Sequence, residues 1–100
     1  MSGGAPGDAR IAAEIRMLLT ARAVDASICP SEVARRLWPE PGWRDAMPTV
    51  RRVACALASD GVLRITRGDA ELDPRALSDG PIRLRRGADW RDPAPDGPAP

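Results

Sequence analysis

One hundred residues suffice for one small domain and leave little chain for a second core. Fifteen basic residues against fourteen acidic ones give a net charge of +1. Histidine is absent and the two cysteines, Cys29 and Cys55, form no CxxC pair, which excludes the usual zinc sites and the usual base beside a serine or cysteine nucleophile.

The 43% hydrophobic content overstates the core, because seventeen of those residues are alanine. Apart from Met1 and Trp90, the bulky apolar residues fall between Ile11 and Leu84. The folded unit is therefore expected over residues 9–86, with residues 1–8 and 87–100 as disordered tails rich in Gly, Pro and Asp. All fifteen basic residues are arginine. With abundant Ala, Gly and Pro this reads as the coding bias of a GC-rich genome, so arginine positions carry more weight than their number. No signal peptide is visible, and no apolar run approaches a membrane span. A cytoplasmic bacterial protein with reduced thiols, no metal and no cofactor is expected.

Asp8 reads as the N-cap of a first helix ending near residues 21–22. Ile11, Ile15, Leu18 and Arg22 share one stripe, while Arg10, Glu14 and Met17 point elsewhere. A loop, AVDASIC, follows. A second short helix covers residues 30–38, capped either by Cys29, with Pro30 first and Glu32 third, or by Ser31. Val33, Ala34, Leu37 and Trp38 face inward, leaving Arg35 and Arg36 outside. Residues 39–42 break the chain. Trp38 and Trp43, on either side of the break, are expected to close the core.

A third helix covers residues 44–59, with Pro48 starting its regular part after a lead-in turn. Val50, Val53, Ala54 and Leu57 form its buried stripe. Asp60-Gly61 ends it, Gly61 suiting the left-handed position past a helix end. The period then changes from helical to alternating. Residues 62–66 and 70–73 predict two strands about a turn at Arg67-Gly68-Asp69. In residues 81–85, Ile82 and Leu84 alternate with Arg83 and Arg85. Three helices followed by a small β-hairpin wing predict an α+β, mainly α, winged helix-turn-helix.

On the third helix, Pro48, Arg52, Cys55 and Ser59 lie opposite the buried stripe. Small side chains there would let the helix approach a groove while arginine reaches bases or phosphates. The same face also reads as ordinary solvated surface. Arg52 is expected to be free of the core, Arg51 to pair internally with an acid such as Asp45, and Cys55 to be the more reactive thiol. Trp90 reads as a stray tail aromatic or an exposed anchor. No pair of acids is committed to one cleft, and no Gly-rich phosphate loop occurs, so no catalytic residue is assigned and an enzyme is not expected.

Ile28-Cys29-Pro30-Ser31-Glu32-Val33-Ala34-Arg35, then Trp43-Arg44, Met47-Pro48 and Val50-Arg51, and finally Asp73-Pro74 and Gly80-Pro81-Ile82-Arg83-Leu84-Arg85 resemble the blocks of a small bacterial family of unknown function, number 3253 in that series. The resemblance spans residues 11–86. It implies a winged-helix-like fold and no assigned activity, with recurring polar positions matching Arg22, Ser31, Glu32, Arg35, Arg44, Arg51 and Arg83.

The functional expectation is double-stranded DNA binding, as by a transcriptional regulator, with the third helix in the major groove. Thr49, Arg51 and Arg52 are placed nearest the bases, and Arg35, Arg36, Arg44 and Arg67 at phosphates. The alternative is a protein-interaction or homodimerisation module using the same face without nucleic acid.

Overall fold

The computed structural model describes residues 6–91. Three helices, α1 (Asp8–Thr20), α2 (Pro30–Leu37) and α3 (Trp43–Ser59), pack on one side of an antiparallel sheet. Its strands are β1 (Ser27–Ile28), β2 (Leu63–Arg67), β3 (Ala70–Leu72) and β4 (Arg83–Arg86), in the order β1-β4-β2-β3. The fold is α+β, compatible with a winged-helix-like arrangement.

Helix α1 contributes Ile11, Ile15 and Leu19, each fully buried, at the spacing of one helix face. Burying each such side chain favours folding by about 1.5–3 kcal/mol. Gly7, not Asp8, is the N-cap. Asp8 lies in the first turn, where a carboxylate suits the positive end of the helix dipole, and its oxygens bind Arg52. The helix ends at Thr20, so Arg22 falls outside it and pairs with Glu32 at 2.8 Å.

Glu14 departs most from its sequence reading. Expected on the outer side, it is 1% exposed. Arg10 at 2.9 Å and Arg36 of α2 hold its carboxylate. A buried carboxylate persists only when paired and hydrogen-bonded, and here two guanidinium groups supply both.

The expected loop between α1 and α2 contains β1, whose Ser27 and Ile28 pair with Arg85 and Leu84. Cys29 caps α2 with Pro30 at the first position, and the Cys29 amide donates to Glu32 Oε2 at 2.9 Å. Val33 and Ala34 are buried as expected, and Leu37 and Trp38 pack partly buried against the core. Helix α3 begins at Trp43, and Pro48 lies inside it rather than at its start. Proline there forgoes one hydrogen bond to the preceding turn. Trp43 and Ala46 extend the buried stripe of Val50, Val53 and Ala54 toward α2.

Gly61 (φ 83°) turns the chain out of α3, and Gly68 (φ 59°) lies in the two-residue turn between β2 and β3. Leu63, Ile65, Ile82 and Leu84 close the core from the sheet. The folded chain continues past residue 86. The Gly87 amide donates to Val62 O and the Asp89 amide to Gly61 O, both at 2.9 Å. Trp90 packs against the core, 5.2 Å from the Arg86 guanidinium. It is not a stray tail aromatic. The remaining tail expectation falls on residues 1–5 and 92–100, outside the described residues.

Candidate nucleic-acid interface

The seven residues expected at a DNA surface separate into three groups. Arg35 of α2 and Arg44 at the start of α3 lie over the Trp43 ring, 4.4 and 4.5 Å from its centroid. Trp43 Nε1 donates to Glu40 Oε2 at 2.6 Å, and Arg44 approaches Glu40 at 3.5 Å. The indole thus holds two cations close to its ring, with Glu40 offsetting Arg44. Arg36, also of α2, turns to Glu14.

Arg52 is exposed on α3, as the helical wheel requires, yet its guanidinium is engaged. Nη1 and Nη2 donate to the two carboxylate oxygens of Asp8, both at 2.9 Å. This fork-to-carboxylate geometry is the strong form of the interaction. The hydrogen bonds from Arg52 hold the Asp8 carboxyl below the ordinary carboxylate value and push the Arg52 pKa up. The wheel located the side chain but not its partner, which lies forty-four residues away.

Arg51 and Arg67 converge. Arg51 Nη1 donates to Gly80 O and Nη2 to Ser78 O, both at 3.1 Å. Arg67 donates to Pro81 O at 2.9 Å, Asp79 O at 3.2 Å and Ser78 O at 3.5 Å, with Ser78 Oγ at 3.3 Å from its Nη1. The expected Arg51–Asp45 pair is replaced by this loop. Arg67 likewise turns back onto the loop between β3 and β4 instead of extending from the β2–β3 turn. Gly80 (φ 119°) permits the approach, since a Cβ there would lie 3.1 Å from Arg67 Nη2. Both guanidinium groups thus bind the Ser78 carbonyl, a neutral acceptor that leaves their charges uncancelled. Thr49 is half-buried on α3, two residues before Arg51.

Ser78 and Gly80 were absent from the sequence-derived site, although Ser78-Asp79-Gly80-Pro81 is a recognisable turn. Nothing local marks its carbonyls as the ligands of arginines on α3 and β2.

Cys55, expected on the outer face of α3, is partly buried against the core. Burial pushes its thiol pKa up, and Arg51 offsets this only in part. Thiolate is the reactive form, so Cys55 should alkylate at neutral pH more slowly than cysteine in an unstructured peptide. Timed iodoacetamide labelling with peptide mass mapping measures this; an equal or faster rate would contradict the assigned burial.

Among the described residues, no group of three or more His, Cys, Asp or Glu side chains is arranged to hold a metal ion. No helix there is long and apolar enough to cross a membrane. No curated protein matches the chain. The model of one family, described as a protein of unknown function (DUF3253), matches residues 8–87, from the first residue of α1 to the glycine that follows β4. This chain belongs to that family.

Proposed function

We propose that the protein is a winged-helix module that binds double-stranded DNA in the cytoplasm. The observation that carries this reading is the convergence of Arg51 and Arg67 on Ser78, at the seam between α3 and the β3–β4 loop. Two rigidly held, unneutralised guanidinium groups beside a helix with an exposed small-residue face suit a phosphate of the DNA backbone. The chain order supports the same reading: a short strand between the first two helices pairs with the last strand, and α2 and α3 are joined by a tight turn. In this arrangement Arg51 and Arg67 clamp phosphate, Arg35 and Arg44 meet the backbone from the Trp43 surface, and Thr49 faces the groove. Arg52 reaches bases only when phosphate displaces Asp8.

The pairing of Arg52 with Asp8 and of Arg36 with Glu14 favours a second reading, a protein-interaction or dimer surface. It leaves Pro48, Ala56 and Ser59 around a neutralised Arg52.

Anisotropy of a labelled pool of random duplexes, titrated at several salt concentrations, separates the two. For DNA binding, Arg51→Ala/Arg67→Ala should weaken every duplex roughly tenfold or more at low salt and make the log–log salt slope shallower by about two. Absence of duplex binding, or binding that ignores salt, would sink the DNA reading. Sedimentation would then test for a dimer.

A further inference from the structure

The sheet has a second face, opposite the helices. Leu63, Ile65 and Leu84 point into the core, so strand alternation sends Arg64, Arg83 and Arg85 to the other side. Arg64 is directly opposite Arg85 in the β2–β4 register. Like charges so placed weaken a sheet, and this sheet carries them on its two central strands.

Each of these arginines donates hydrogen bonds to neutral groups. Arg83 donates to Ser27 Oγ at 2.9 Å and Ser27 O at 3.2 Å. Arg85 donates to Thr66 Oγ1 at 3.3 Å and Asp25 O at 2.8 Å, and Arg64 to Arg86 O at 3.1 Å. These bonds orient the guanidinium planes without cancelling their charge. Among the described residues Arg83 and Arg85 form no ion pair, whereas Arg22, Arg36 and Arg52 each bind a carboxylate. Arg64 meets Glu71 only at 3.9 Å.

We propose that this arginine face docks a short, extended acidic peptide segment of a partner protein, with carboxylates at alternate positions. Arg83 and Arg85 are two residues apart on β4, a repeat of about 6.8 Å, and an extended peptide presents alternate side chains at the same interval. The unused N–H groups of each fork donate to carboxylate oxygens. Glu71 on β3, 3.9 Å from Arg64, borders the patch on the β3 side. A duplex laid across it would bring phosphates against Glu71, whereas a short segment aligned on Arg83 and Arg85 of β4 stays clear of it. The face is independent of the DNA reading, because alternation puts Arg67 on the other side of β2.

The probe is a fluorescein-labelled peptide alternating Glu and Thr, titrated with the full chain at low salt. Binding should weaken roughly tenfold or more in Arg83→Gln/Arg85→Gln, and a peptide with Gln in place of Glu should not bind. In the unaltered protein, the Nε–Hε resonances of Arg64, Arg83 and Arg85 should move on peptide addition while those of Arg51 and Arg67 stay. That measurement decides the matter should the double variant fail to fold. Unmoved resonances, failure of the Glu peptide to bind, or equal binding of the Gln peptide would each overturn the proposal. So would displacement of the peptide by duplex DNA whose own affinity falls in the double variant, which would mark a nucleic-acid surface.

Discussion

Glu14→Gln is expected to cost about 2 kcal/mol of folding stability. The carboxylate is 1% exposed and joins α1 to α2 through Arg36, with Arg10 from the preceding turn. Removing one partner of a buried ion pair typically costs about 3–5 kcal/mol. The side chains of Arg10 and Arg36 are 51% and 56% exposed, so water recovers part of the loss. Urea denaturation measures the difference; a change within about 0.5 kcal/mol, as at an ordinary surface site, would show that the pair is not a structural strut.

The same residue predicts an acid limit. Burial alone would raise the Glu14 pKa, but Arg36 and Arg10 outweigh it and hold the group below the ordinary glutamate value of 4.5. A carboxyl depressed in the folded state stabilises fully above its unfolded pKa, and that contribution is lost as pH falls through the folded pKa. Asp8 acts in the same direction through Arg52. Melting temperature should therefore decline below about pH 4.5. The decline should be shallower in Glu14→Gln; an unchanged acid slope would remove Glu14 from the account.

Gly87→Ala should be more costly, by about 3 kcal/mol. A Cβ at this position would lie 2.3 Å from Gly61 O and 2.8 Å from Leu63 O. Both neighbours are backbone atoms, so no side-chain rotation relieves the overlap. The chain end must instead move away from the start of β2, breaking the bonds from Gly87 to Val62 and from Asp89 to Gly61. Overpacking costs about 1–3 kcal/mol, and each lost hydrogen bond adds about 1 kcal/mol. Against a total stability of about 5–15 kcal/mol, the change should appear as a large drop in melting temperature. Ending the chain at Arg86 should be similarly harmful, because it also removes Trp90 from the core. A variant melting within a degree or two of the original would mean that the Gly61–Gly87 contact is loose.

The three helices were legible because each carries a local apolar period. Ile11 and Ile15 mark the buried face of α1, which continues through Leu19 where the sequence draws the stripe through Leu18 and Arg22, and Val50, Val53 and Ala54 mark one face of α3. The turns at Gly61 and Gly68 were legible for a similar reason: both adopt positive φ, which glycine reaches without steric cost. These features depend on neighbours within a few residues along the chain.

Partners distant in sequence left no such trace. Ser27 and Ile28 form a strand only because β4 pairs with them, and a two-residue segment has no period of its own. Glu14 is at the edge of the α1 stripe, where its charge argues for solvent; Arg36 on α2 reverses that by supplying a counter-charge. Arg52 is exposed on α3 as its helical position requires, yet Arg51, Arg52 and Arg67 were matched to acceptors only by the packing of α1 and the β3–β4 loop. A helical or strand period depends on the direction of each Cβ, which the local backbone sets. An arginine's ligand depends on what lies within reach of a long, flexible side chain, and in this protein that is settled by segments eleven to forty-four residues away.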